Sequence, residues 1–139
     1  MLNANYLRVK LAGAMSPAFP GTCMHEVLFD DGFLKDTGVT TLDFAKALID
    51  EGFHPMRMYF PLVVHGALLI EPTETESKAS LDQFAAVLRG LAERARTGDT
   101  AAFRAAPRLT PRRRLDETGA ARKPVLRWRP APVRQEAAE

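Results

Sequence analysis

Three carboxylates crowd the run Glu71-Pro72-Thr73-Glu74-Thr75-Glu76, and closely spaced carboxylates can push one another's pKa values apart into an acid/base pair. The same run reads as the start of a helix, where negative charge meets the positive end of the dipole, and the spacing favours that structural reading. His25, His54 and His65 are too scattered to indicate a metal site. A lone histidine on a strand or loop is usually a satisfied or exposed polar group. Cys23 is the single cysteine, so it cannot form an internal disulfide, and no Cys/His cluster has zinc spacing. With no evident electropositive neighbour to stabilise a thiolate, it reads as an inert small hydrophobe. Gly13 and Gly21 stand alone, outside the context that a phosphate loop requires.

Charge is unevenly spread. Residues 104–134 hold ten of the 19 basic residues and only two of the 17 acidic ones, so a basic tail is attached to an acidic body. The tail needs an acidic partner surface, or solvent. Arg112-Arg113-Arg114 and Arg127-Trp128-Arg129 suit phosphate neutralisation and base stacking. The recurring Leu109, Leu115, Val125, Leu126 and Trp128 instead suit an extended arm docked on protein, since a solvated tail would waste the tryptophan. Protein docking therefore ranks above a solvated tail, and nucleic acid comes third. The candidate docking residues are Arg112, Arg113, Arg114, Arg122, Lys123, Arg127 and Trp128.

The elements that position these groups follow from periodicity. Tyr6, Leu7 and Leu11 have helical spacing within Asn3 to Ala14, with no convincing cap before them, as in a helix whose beginning is missing. After the breaker Ser16 to Gly21, the run Thr22 to Phe29 reads as a strand with Cys23, His25, Val27 and Phe29 on one face. Asp30-Asp31-Gly32 marks a loop. Thr40 with Asp43 forms a capping signal for a helix striped by Leu42, Ala45, Leu48 and Ile49, ended by Gly52. Arg57 to Phe60 and Ala67 to Glu71 are two short strands around a turn at His65-Gly66. Thr73 to Glu76 is a capping sequence for the longest helix, with Leu81, Phe84, Ala85, Leu88, Leu91, Ala92 and Ala95 on one face. A short helix runs through Phe103, and prolines then deny regular structure to the arginine-rich remainder. Short strands interrupted by helices favour an α+β layer, a small antiparallel sheet with covering helices.

The length of 139 residues and 46% hydrophobic content suffice for one domain and not two. The division is a helix over 1–15, an α+β domain over 16–106 and an extended Arg/Pro-rich arm over 107–139. No apolar run approaches a membrane span and the first residues lack the order of a signal peptide, so the chain reads as cytoplasmic.

Several stretches, read in order, carry a resemblance. They include Asn3-Ala4-Asn5-Tyr6-Leu7, Cys23-Met24-His25-Glu26, Gly38 to Lys46, Gly52-Phe53-His54-Pro55, Tyr59-Phe60-Pro61-Leu62, Ile70 to Lys78 and Arg114 to Arg127. Together they are similar to the C-terminal part of glycine decarboxylase, the P-protein of the glycine cleavage system, and specifically to the second subunit of its bacterial two-subunit form. The resemblance implies the small C-terminal domain of a fold-type I, aspartate-aminotransferase-like pyridoxal-phosphate enzyme. It also implies partners, namely subunit 1 in a heterotetramer, the lipoylated H-protein and glycine, and neither nucleic acid nor membrane.

In that family pyridoxal phosphate forms an imine with glycine and acts as an electron sink during loss of carbon dioxide. The family's imine lysine lies in a His-Lys-Thr motif of the large domain. Lys10, Lys35, Lys46, Lys78 and Lys123 all have other neighbours here. The resemblance thus implies a fragment cut inside its first helix, with no catalytic residue of its own and no cofactor bound, inactive alone. It supplies His25, Glu26, His54, Glu71, Thr73 and Glu74 as candidates for one wall of the active-site cleft. Arg57 departs from the threonine usual at that loop. The alternative is a stand-alone, non-catalytic interaction module binding subunit 1 or the H-protein through the basic arm. In either case exposed apolar surface favours self-association.

Overall fold

The computed structural model describes residues 1–130; positions 131–139 of the expected arm lie outside the described residues. The elements follow the order α1 (Leu2–Lys10), β1 (Ser16–Pro17), β2 (Val27–Asp30), a 3-10 turn (Gly32–Leu34), α2 (Thr41–Asp50), β3 (Arg57–Met58), β4 (Leu68–Ile70), α3 (Lys78–Arg96), α4 (Thr100–Ala105) and α5 (Glu117–Arg122). The four strands form one antiparallel sheet of order β1-β2-β4-β3, which establishes the α+β class.

Alternation explains the central pair. Val27 and Phe29 of β2 and Leu68 and Ile70 of β4 are buried and face each other in register, Val27 against Ile70 and Phe29 against Leu68. The helices cover this apolar face. Leu7 and Leu11 from the first helix, Phe44 and Leu48 from α2, and Leu81, Leu88 and Leu91 from α3 share one core with the strands. Phe44 meets Phe33 edge-on at 5.2 Å and stacks on Phe103 of α4 at 6.3 Å, tying three elements together.

Caps set the boundaries. Thr40 Oγ1 accepts from Asp43 N at 3.1 Å while Asp43 Oδ2 accepts from Thr40 N at 3.0 Å, the reciprocal box expected from the sequence. Gly52 follows α2 at φ +83°, where a side chain would be strained. Along α2 the buried stripe runs through Thr41, Phe44, Ala45 and Leu48, whereas Leu42 and Ile49 are only half-buried.

Four expectations are corrected. The predicted strand Thr22 to Phe29 shrinks to Val27–Asp30, because the backbone of Cys23 is held by an asparagine side chain instead of a strand. Ser16–Pro17, read as part of a breaker, is an edge strand paired to Asp30 and Phe29, a position where proline needs no ladder donor. The cap of α3 is Ser77, whose hydroxyl accepts from Ser80 N at 3.0 Å, and not the Thr73–Glu76 run; no acidic residue lies in the first turn of α3. The arginine-rich remainder also contains a helix, α5, started by Asp116 accepting from Gly119 N at 2.8 Å.

Candidate functional site

A cleft of about 650 Å³ opens between the N-terminal half of α3, the end of β4 and the loop that follows α2. Its floor is apolar, built from Leu7, Met56, Ile70 and Leu81, with Phe53 and Phe84 packed at 5.2 Å along one side. Its polar groups come from separate elements. His54 and Arg57 are carried by the loop after α2 and by β3, Glu71 by the residue following β4, Glu76 by the turn before α3, and Glu26 by the residue preceding β2.

Two asparagines of α1 hold the loops around this cleft. Asn5 makes a paired amide contact with the backbone of Cys23, donating to its carbonyl at 2.6 Å and accepting from its N–H at 3.0 Å. Asn3 donates to the Thr73 carbonyl at 2.7 Å. Residues 22–26 and 71–76 have few backbone partners of their own, so these side chains supply the missing hydrogen bonds. The signal was present in the sequence as two amides flanking the buried Ala4, but nothing local revealed what they would bind.

A second clasp joins α1 to α3. Tyr6 donates to Asp82, Lys78 Nζ lies 2.6 Å and Lys10 Nζ 3.3 Å from the same carboxylate, and both ammonium groups sit over the Tyr6 ring. The hydrogen bond from Lys78, followed by that from Tyr6, holds Asp82 well below the usual carboxylate range, and the contacts of Lys78 with Asp82 and then with Tyr6 raise Lys78. Tyr6 and Asp82 of the clasp are sequence neighbours of Leu7 and Leu81, which line the cleft.

The candidate wall residues divide. His54, Glu26 and Glu71 line the cleft together. Thr73 and Glu74 are exposed and do not line it; the Thr73 hydroxyl instead pairs with that of Thr75 at 2.7 Å. His25 lies on a second, neighbouring cavity of about 390 Å³, its Nε2 at 3.9 Å from Glu26, which borders both. Glu71 and Glu76 line the cleft and lie before the Ser77 cap, outside the first turn of α3. Arg57, beside them, rests on the Phe60 ring at 5.6 Å. Among the described residues no group of three His, Cys, Asp or Glu gathers in a way that could hold a metal ion.

The candidate docking residues also divide. Arg114 turns inward, with Nη2 at 2.7 Å from Asp43 Oδ1 while Nε and Nη2 donate to the carbonyls of Ala106 and Phe103. Arg113 reaches back to the Pro107 carbonyl at 3.4 Å. Arg112, Arg122, Lys123, Arg127 and Trp128 are exposed, as are Leu115, Val125 and Leu126. The root of the arm is pinned separately, since Asp50 accepts from Arg108 N at 2.7 Å and Leu109 N at 2.8 Å. No helix among the described residues is long and apolar enough to cross a membrane.

Comparison with known proteins places this geometry. Residues 1–107 match a sequence model described as "Glycine dehydrogenase, C-terminal domain". A protein of Caulobacter vibrioides named "Probable glycine dehydrogenase (decarboxylating) subunit 2" is 68% identical over 100% of this chain and 27% of its own length. Proteins of the same name from Kosmotoga olearia and Caldanaerobacter subterraneus are 50% and 52% identical over 94% and 92% of the chain. The chain thus spans 27% of the length of the first of these relatives. A match over residues 1–107, sustained by these identities, means that the chain belongs to the glycine dehydrogenase C-terminal domain family.

Proposed function

We propose that this chain serves as the small-domain wall of a pyridoxal-phosphate-dependent glycine decarboxylase of fold type I, a cytoplasmic enzyme, and that it is catalytically inactive by itself. The observation that carries the reading is the lining of the larger cleft: His54, Glu26 and Glu71 converge there from three elements, and no lysine is among the lining residues. The cleft offers groups that can orient a substrate or hold a proton, yet no amine for an imine.

The residues present do not fit pyridoxal phosphate unaided. Its phosphate is an anion, and Glu26, Glu71 and Glu76 line the same space. The one arginine in the lining, Arg57, already rests on Phe60. The cofactor's amine partner and phosphate cradle are therefore assigned to the rest of the enzyme. The share of this chain is to close an apolar floor over the reacting groups, which excludes water and strengthens electrostatic contacts inside. Subunit 1, with which a heterotetramer is expected, the lipoylated H-protein and glycine are the partners implied by this role.

The domain division accompanies this reading, with α1 leading into the body over 16–106 and the arm from Pro107 reaching toward the partner subunit. The exposure of Trp128, Leu126 and Val125 on that arm also favours a second reading, an interaction module that binds subunit 1 or the H-protein without chemistry. The test is glycine-dependent carbon dioxide exchange in an assembly of this chain, the remaining portion of subunit 2 and subunit 1. Activity is expected in the assembly and none in the chain alone, with His54→Ala lowering the rate at least tenfold. A full rate in His54→Ala removes His54 from the wall, and binding without any exchange in the complete assembly supports the module.

A further inference from the structure

The second cavity carries a feature that the proposed wall does not use. Arg8, in the last turn of α1, lines it, and its Nε is buried with no hydrogen-bond partner among the described residues. A buried donor without an acceptor is unfavourable, and guanidinium selects carboxylates through its planar fork. Apolar Phe19, Met24 and Pro61 line the same cavity, the first two exposed, and the exposed Leu62 and Val63 follow Pro61 in the chain.

The loop bearing Leu62 and Val63 is held rigidly even though its tip is bare. Tyr59 N donates to the Ala67 carbonyl at 2.8 Å, Val64 N to Pro61 O at 3.1 Å, and Thr41 Oγ1 to Gly66 O at 3.0 Å. His65 pairs with Asp31 at 2.9 Å. Both ends are thereby fixed, while Leu62 and Val63 are 87% and 86% exposed. A preorganised apolar tip costs little ordering entropy when it is covered.

We infer that this face, centred on Arg8 and the 59–66 loop, is the surface on which the polypeptide that the relatives carry beyond the matched portion packs, through an apolar contact that brings one carboxylate side chain to Arg8. The occupant is argued from length, since the chain spans only 27% of the Caulobacter vibrioides relative, leaving a large polypeptide to be placed. Near the arm root Asp50 and Asp43 are already spent on Arg108, Leu109 and Arg114. The inference rests on the family membership and extends the proposed role as a wall by stating which face meets the rest of the subunit.

The test co-expresses residues 1–139 with the portion of the Caulobacter vibrioides relative that this chain does not match, one of them tagged, and measures the dissociation constant of the purified pair. Leu62→Ser with Val63→Ser is expected to weaken it at least tenfold. Arg8→Met is expected to weaken the pair similarly while leaving the melting temperature of the free chain equal or higher, because it removes the unpartnered donor; Arg8→Lys is expected to restore part of the affinity. Wild-type affinity in the double variant, failure of the wild-type chain to pair, or a loss confined to self-association overturns the inference. A pair that forms normally but never develops pyridoxal-phosphate absorbance counts against the proposed function and leaves this surface standing.

Discussion

Arg114 of the arm holds Asp43 of α2 at 2.7 Å, and Asp43 is at the same time half of the capping box that starts the helix. Asp43 is buried, so one contact couples the arm's root to the first turn of a core helix. Arg114→Ala strands that carboxylate with Thr40 as its remaining partner. Loss of a hydrogen bond to a charged group costs about 1.5–3 kcal/mol. Urea denaturation of Arg114→Ala is expected to show a loss in that range, with Arg114→Lys intermediate because an ammonium cannot reproduce the forked contacts to Phe103 and Ala106.

The same pair predicts an acid limb. Burial by itself pushes Asp43 up, but hydrogen bonds from the Thr40 side chain and backbone and from Arg114 outweigh it and leave the carboxyl below its ordinary value of 3.8. A carboxyl depressed in the folded state contributes stability that is complete above its unfolded value and lost as pH falls through the folded one. Thermal midpoints measured from about pH 6 down to about pH 2 should fall less steeply in Asp43→Asn than in the wild type.

His65 behaves in the opposite sense. The hydrogen bond and then the charge of Asp31 raise it above 6.5, so its contribution is complete below the unfolded value and lost as pH rises through the raised folded one. The ring is 92% exposed, and the effect on stability is correspondingly small. Proton NMR titration should place His65 above its ordinary value, with Asp31→Asn returning it to about 6.5.

Gly66 adopts φ +57°, and an added Cβ would lie 2.3 Å from Asp31 Cγ. Gly66→Ala therefore meets both backbone strain and a collision, worth about 1–3 kcal/mol for the strain alone. Asp31→Gly in the same chain, which removes Cβ together with the carboxyl, should recover the collision and not the strain, so the double variant should be more stable than Gly66→Ala and less stable than Asp31→Gly.

Phe103 is fully buried between Phe44 on one side and the Arg94 guanidinium, 5.6 Å from its centroid, on the other. Phe103→Ala should cost about 3–5 kcal/mol by cavity formation. Because the Phe103 carbonyl also accepts from Arg114, proteolysis of the arm should accelerate in that variant.

Local periodicity was sufficient for the first four helices and the class of fold, but not for α5 within the arginine-rich remainder. The α3 stripe, the Thr40 box and the Gly52 stop are all set within a few residues of the chain, so they were legible without any tertiary knowledge. The motif order identified the family for the same reason, since runs such as Ile70 to Lys78 persist whatever surrounds them. Tertiary structure decided the remainder. The cap of α3 fell to Ser77, and Glu71 and Glu76, which precede it, line a cleft whose other residues come from distant parts of the chain. His54 and Glu26 stand far apart in sequence and share a site because β2 pairs with β4, Val27 opposite Ile70, while Asn5 holds the preceding loop at Cys23. Arg114 was indistinguishable from Arg112 and Arg113 in the sequence; only the fold supplies the buried Asp43 that it answers, because the cost of an unpaired buried charge exists only once there is an interior.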